Sequence, residues 1–424
     1  MSEPLQELTT NPALGVALFT LGGLAAAVFY LPFKKVQRWA WESYWLVYAV
    51  AGLLVVPWVL ALCTAPNVLA VLRSSPLDLL GYCFLCGAMW GVGGLTWGLM
   101  IRYLGVGLGL AIGCGLCSAA GTLMPPIIAG QFNKLYGTLP ANVSLAGVLV
   151  SILGIVLVGM AGMSKERELP EAEKKKAVAE YSFKKGILVA VFSGLMSAGM
   201  NFGLQGAPVV QLKAQYGSAT RVAAAAPKSA PPVELAAAPG LFYDRAAQTW
   251  IAPAAAAGEQ TTGKTWAGVP VLVVVLLGGL AVNLLWCLLL NAKNRTFGDY
   301  ARPGVPRTAN LLFAALAGAI WCSQLICLKI GEPQMGTQSY IGWAVLMAST
   351  ILFSAILGLL LGEWKGVSGR TKVLLAAGLA ALVASAVVAG YASKLKQDQD
   401  AGKDRAIVAQ AVPAEAFIER PALL

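Results

Sequence analysis

Ten strongly apolar stretches, set apart mostly by short polar loops, dominate this chain. They cover residues 12–32, 44–64, 79–101, 104–129, 143–163, 185–206, 268–291, 309–330, 338–362 and 372–392. A helix of about 20 mainly apolar residues crosses a hydrocarbon core roughly 30 Å thick, so each stretch is long enough to span a bilayer. With 58% hydrophobic and 12% charged residues and a mean hydropathy of +0.70, a soluble domain of this size is excluded. The pattern predicts an all-α integral membrane protein of about ten transmembrane helices, with the lipid bilayer as its solvent.

The formal charge of +11 takes on a different meaning in that setting. In a soluble chain it would point to nucleic acid; here its distribution reports topology, and no nucleic-acid partner is expected. If the loops alternate sides, the 1–2, 3–4, 5–6, 7–8 and 9–10 loops hold 18 of the 31 Lys and Arg. Lys34, Lys35, Arg38, Lys174–Lys176, Arg302 and Arg307 are among them. The short loops on the other side hold about one each, namely Arg73, Lys134 and Lys329. An excess of positive residues in short loops marks the cytoplasmic face, so both termini are expected outside the cytoplasm. Met1–Asn11 carries Glu3 and Glu7 but no Lys or Arg. It lacks the basic start of a cleavable signal peptide, and the first span is expected to be retained.

All eight cysteines fall in or at the ends of apolar stretches. There Cys behaves as a small hydrophobe, even in the pairs Cys83/Cys86 and Cys114/Cys117. Histidine is absent, which removes the commonest metal ligand and the usual general base. No metal, no cofactor and no disulfide framework is expected. Sparse carboxylates likewise argue against an integral-membrane transferase, and the chain reads as a non-enzyme.

Two short echoes divide the chain. Gly87-Ala88-Met89-Trp90 of span three matches Gly318-Ala319-Ile320-Trp321 of span eight, and Gly23-Leu24-Ala25-Ala26-Ala27 of span one matches Gly194-Leu195-Met196-Ser197-Ala198 of span six. Both fit two five-span repeats, and because five is odd the second must enter the membrane inverted. Inverted repeats place a substrate site near the midplane. The organisation expected is residues 1–206 for the first repeat plus span six, 207–266 for a linker, 267–392 for spans seven to ten, and 393–424 for a polar tail. The linker alternates Ala runs with Pro227, Pro231, Pro232, Pro239 and Pro253 and reads as a mobile extracytoplasmic loop. Leu241–Tyr243 and Trp250–Ile251 are its candidates for touching the membrane surface.

Small residues recur every fourth position in span four (Gly105, Gly109, Gly113, Cys117, Gly121). Such stripes allow close helix approach, which serves static packing, a sliding seam or a homodimer equally well. Pro125-Pro126 should break the end of span four, and Pro57 should kink span two. Polar groups inside hydrocarbon are costly unless they face protein or water. The candidates are Tyr30, Asn201, Gln205, Asn283, Ser323 and Gln324, with Trp90, Trp97 and Trp321 nearby. Uncharged amides and hydroxyls beside aromatic faces suit a neutral, polyhydroxylated solute; interhelical hydrogen bonding is the plainer use. Among the carboxylates, Glu363 and Glu42 are the candidates for proton coupling, against ordinary pairing with Lys365 or Lys35.

Several segments resemble the bacterial L-rhamnose–proton symporter family, within the drug/metabolite transporter superfamily. They are Phe29-Tyr30-Leu31-Pro32-Phe33-Lys34-Lys35 with Trp39-Ala40-Trp41-Glu42, Gly87-Ala88-Met89-Trp90-Gly91, Met100-Ile101-Arg102-Tyr103-Leu104-Gly105, Gly121-Thr122-Leu123-Met124-Pro125-Pro126-Ile127, Ser197-Ala198-Gly199-Met200 and Glu363-Trp364. The resemblance implies ten spans, a multi-pass protein of the bacterial inner membrane, and uptake of a sugar with a proton. It also implies that Tyr30, Trp90, Asn283, Gln324 and Glu363 share the family's residue types. Two positions depart from the enterobacterial pattern: Gly94 replaces an Asn and Ser339 an Asp. The first reading is a sugar symporter. A carrier of another small metabolite, or a non-transporting membrane sensor that uses the linker, is the alternative.

Overall fold

Inside hydrocarbon a helix is the one open structure that satisfies its own N–H and C=O groups, and the apolar runs fold accordingly. The computed structural model describes residues 11–128, 130, 135–168, 183–224, 238, 240–244, 249–360, 364 and 366–411. Among these residues, nine helices are long and apolar enough to cross a membrane, and Ile112–Ile128 is a shorter apolar helix. In chain order the helices are α1 (Pro12–Val28), α2 (Trp41–Val50), α3 (Val56–Thr64), α4 (Val68–Ser74), α5 (Leu77–Ile128), α6 (Leu139–Glu168), α7 (Phe183–Ser197), α8 (Gly199–Gln205), α9 (Pro208–Tyr216), α10 (Val269–Asn294), α11 (Arg307–Gly331), α12 (Gly342–Leu360) and α13 (Gly369–Ala411). The nine crossing helices make this a multi-pass membrane protein.

Spans three and four, expected as separate helices, join in the single helical run of α5. Residues 13 apart in a straight helix stand roughly 20 Å apart. A Cβ placed on Gly113 would nevertheless lie 2.9 Å from the Met100 sulfur and 3.4 Å from the Trp97 ring. The run therefore doubles back between these points, and its arms Leu77–Trp97 and Ile112–Ile128 lie side by side. Pro125 and Pro126 do not end it at once, because the helix continues to Ile128. In span two, a π-helical segment, Ala51–Val55, joins α2 to α3. Pro57 follows in the first turn of α3; it brings no N–H to the ladder, and the wider π turn stands just before that missing donor.

The packing directions can be read from contacts. α1 lies on α11 and α12: Gly15 meets Gly331, while Gly22 meets both Gln324 and Leu346. It is thus antiparallel to α11 and parallel to α12. α7 and α8 lie on the two arms of α5. Ser193 hydrogen-bonds Thr96 at 2.7 Å, the Trp97 indole donates to Ser197 at 2.8 Å, and the Cys83 thiol contacts the Gly203 carbonyl at 3.5 Å, so they run antiparallel to the first arm. α2–α3 runs against α10, with Ser43 beside Asn291 at one end and Ala61 clustered with Val269 at the other. α6 and α13 are also antiparallel, Gly147 meeting Val388 and Gly378 meeting Val158.

Glycine sets the closest of these approaches. A Cβ on Gly52 would lie 2.6 Å from the Gly318 carbonyl oxygen, and one on Gly87 would collide with the Val275 carbonyl of α10. Close backbone approach drives helix association where burying apolar surface gives little.

The linker differs from the loop expected of it. Strands β1 (Arg221–Ala224), β2 (Phe242–Asp244) and β3 (Thr249–Ala252) form an antiparallel sheet in the order β1-β3-β2. In its register Arg221 faces Ala252, and Tyr243 faces Trp250. Ile251 is fully buried, so it packs inside the protein. The reason lies outside the Ala/Pro runs. Glu259 accepts from Ser218 N and Oγ, Ala256 N and Asn67 Nδ2 at 2.8–3.0 Å. Thr262 donates to Asn67 at 2.6 Å, and Lys213 donates to the Ser74 carbonyl at 2.7 Å. These bonds fasten both ends of the linker to the turn around α4. α13 runs through residue 393 and on along polar but helix-compatible residues to Ala411.

Candidate functional site

An aromatic file crosses the centre of the bundle. Phe33 stands 5.9 Å from Trp45, Trp45 4.6 Å from Tyr48, Tyr48 6.2 Å from Trp321, and Trp321 stacks on Trp90 at 4.9 Å with 28° between the rings. The file takes rings from the 3-10 turn after α1, from α2, from α11 and from the first arm of α5. Helical spacing explains the α2 share: Trp41, Trp45 and Tyr48 are four and three residues apart and face one way. Each such pair contributes about 0.5–1.5 kcal/mol beyond its buried area, and together they form an apolar wall with polar edges.

Three of the residues expected at the site meet this wall. Trp90 is a member of it. The Asn283 carbonyl oxygen accepts from the Trp45 indole at 3.0 Å, and its amide donates to the Gly279 carbonyl at 2.8 Å; the side chain is fixed and buried. Gln324, also buried, donates to the Trp321 carbonyl at 3.0 Å. Tyr30 lies at the rim, edge-on to Phe29 at 6.1 Å, with the Lys34 ammonium 5.9 Å above its ring. Asn201 and Gln205 make a second polar pair, bonded at 3.3 Å. Asn201 donates to the Gly121 carbonyl at 2.5 Å, which aims it at the second arm of α5 rather than at the aromatic wall. The other face of that helix reaches the wall, for Gly199 abuts the Trp90 backbone.

One candidate carboxylate, Glu42, lies apart from this centre. Glu42 opens α2 and is buried, accepting from Asn294 and Thr296 at 2.9 Å each. Beside it Asp299, likewise buried, accepts from Ala40 N at 2.7 Å and Ser43 Oγ at 2.9 Å. Burial there pushes the Tyr300 phenol up to about 12, with Cys287 adding to the shift. Glu363 lies outside the described residues.

Sequence reasoning missed Phe33, Trp45 and Tyr48. The signal was present as an aromatic spacing in α2 matched to Phe29 and Phe33. It also passed over the ion pair of Lys329 with Glu332, both buried at the end of α11. A Lys-x-x-Glu spacing at the end of an apolar helix was the available clue. The eight cysteines are free thiols.

A multi-pass helical bundle, with buried neutral amides beside stacked indoles, defines an integral membrane protein. The chain belongs to the L-rhamnose-proton symport protein (RhaT) family, whose pattern it matches over residues 9–227 and 236–393. It is 33% identical to the L-rhamnose-proton symporter of Klebsiella pneumoniae (strain 342) over 382 residues, covering 89% of this chain and 97% of the relative. It is 32% identical to the L-rhamnose-proton symporters of Cronobacter sakazakii (strain ATCC BAA-894) and Escherichia coli (strain 55989 / EAEC). Those matches cover 89% of this chain and 96% and 97% of the relatives.

Proposed function

We propose that this protein takes up L-rhamnose with a proton across the bacterial inner membrane by alternating access between two inverted five-span halves. The observation that carries this reading is the Trp90–Trp321 stack with Asn283 and Gln324 beside it. Indole faces cover the apolar side of a pyranose, and fixed amides hydrogen-bond its hydroxyls. The names of the curated relatives supply the sugar and the ion. The wider drug/metabolite transporter superfamily is the natural home of such a carrier.

The packing supports the inverted halves. Exchange α1 with α7–α8, α2–α3 with α10, the first arm of α5 with α11, the second arm with α12, and α6 with α13. The contact of α1 on α11 and α12 then becomes that of α7–α8 on the two arms of α5. Gly52 on Gly318 becomes Gly279 against Gly87. Partners within each exchanged pair run antiparallel, as an inversion requires. The second arm of α5 serves as the tenth crossing. The two echoed motifs occupy equivalent places, and Trp90 and Trp321 meet where the halves adjoin.

Tyr30, Trp90, Asn201, Gln205, Asn283 and Gln324 form the substrate path in this reading, with Glu42 and Glu363 receiving protons at the basic, cytoplasmic end. The termini and the linker sheet then lie outside. Uptake of labelled L-rhamnose into proteoliposomes tests the proposal. Accumulation driven by an inside-alkaline gradient and abolished by a protonophore is expected; no uptake by folded, inserted protein would overturn it.

A further inference from the structure

We infer that Glu332 is the carboxylate that loads the proton from the linker side, with Lys329 as its counter-charge; this deepens the symport reading and rests on it. The two residues are one turn apart where α11 gives way to the 3-10 run Glu332–Ile341. Both are buried, Lys329 at 2% and Glu332 at 8% exposure. The Lys329 ammonium holds Glu332 Oε2 and donates to the Leu204 carbonyl at the end of α8, at 3.2 Å. Among the described residues, Glu332 Oε1 is buried with no hydrogen-bond partner. A carboxylate with a single partner and an orphaned oxygen is incompletely held, and every unmade bond in such surroundings is costly.

The surroundings explain what a proton would change. Phe19 of α1 packs on Gly331, Gly268 before α10 abuts the Lys329 side chain, and Cys83 of α5 is the titratable neighbour on the ammonium side. Lys264 belongs to the turn that packs on α11, and Lys394 and Lys396 follow Ser393, which bonds the Met335 carbonyl at 3.1 Å. The cation in contact with Glu332 is Lys329. A proton on Glu332 turns its carboxylate into a neutral acid, which can donate, and dissolves the pair. The Lys329 charge is then left uncompensated against α8, which packs on the first arm of α5. An uncompensated buried charge is strongly unfavourable, so loading weakens the arrangement in which α8 and α11 are joined here. Deprotonation after reorientation returns the proton to water and re-forms the pair.

The test uses full-length protein in proteoliposomes and compares gradient-driven L-rhamnose accumulation with L-rhamnose exchange at equal pH. Glu332→Gln should lose accumulation by tenfold or more while exchange stays within about threefold of wild type. If the lone Lys329 charge disables that variant, Glu332→Gln/Lys329→Gln should restore exchange without accumulation. Accumulation by either folded variant, or loss of exchange in both, overturns the assignment. Wild type that neither accumulates nor exchanges L-rhamnose would sink the symport reading instead. Infrared titration without sugar then decides the Glu332 question by itself. A carboxylic acid C=O band that titrates in wild type and vanishes in Glu332→Gln supports it, and an unchanged spectrum refutes it.

Discussion

Asn283 and Trp45 hold each other between α10 and α2, and the bond makes a clear prediction. Asn283→Ala leaves the Trp45 indole N–H without its acceptor, a loss of about 1–3 kcal/mol. A lower unfolding temperature in detergent and slower L-rhamnose exchange are expected together; a stable variant with full exchange would contradict both roles. Trp321→Leu removes a stacked ring, and the half-saturation concentration for exchange should rise by about two- to tenfold, the equivalent of one aromatic pair. Glu259 gives the pH dependence. Burial pushes its carboxyl up, but bonds from Ala256, Ser218 and Asn67 outweigh that and hold it below the usual value. A depressed folded value contributes stability that is complete above the unfolded pKa and is lost as pH falls through the folded one. The Ser218 and Ala256 amides should thus resist hydrogen exchange at neutral pH and lose protection below about pH 4, the ordinary range of a Glu. Sequence alone showed Trp90, Asn283 and Gln324 as polar or aromatic groups in apolar runs. It did not show the Glu259 clamp, because Asn67 is 192 residues away and neither residue is unusual locally.

At the scale of elements, long apolar runs announced the crossing helices, since length and hydropathy are enough to require them. The reversal inside α5 and the π segment of α2–α3 were less legible, because both depend on which neighbours the backbone meets. Glycines separate the two kinds of position. Gly52→Ala would press a methyl against the Gly318 carbonyl and is expected to destabilise by about 1–3 kcal/mol. Gly94→Ala meets open space and should be neutral or stabilising by up to about 1 kcal/mol, as Ala is the better helix former. Thermal unfolding of the two purified variants decides; the reverse order would mean that the α2–α11 contact is looser than described. The strands of the linker hid for a different reason. They are three or four residues long, and small alanines carry little periodicity, so pairing across the sheet rather than local pattern defines them.

For the whole molecule, the linker sheet is an excursion whose two ends lie close together. Arg221 and Ala252 are register partners, so the chain leaves and re-enters the sheet at neighbouring points. Replacing the segment between them with a short Gly-Ser turn, while keeping Ser218, Glu259 and Thr262, should preserve gradient-driven uptake. Loss of uptake by a correctly inserted variant would favour the sensor role for this segment. In the proposed two-half organisation the echoes give Trp90 and Trp321 equivalent places but not their meeting, because sequence gives equivalence without distance. That meeting has an optical consequence. Indoles held 4.9 Å apart at 28° share their electronic excitation, so the protein carries an intrinsic ruler between Trp90 and Trp321. Their paired near-ultraviolet circular dichroism should fade when the rings part and return when they rejoin, with Trp90→Phe as the blank, allowing the cycle to be timed without any attached label.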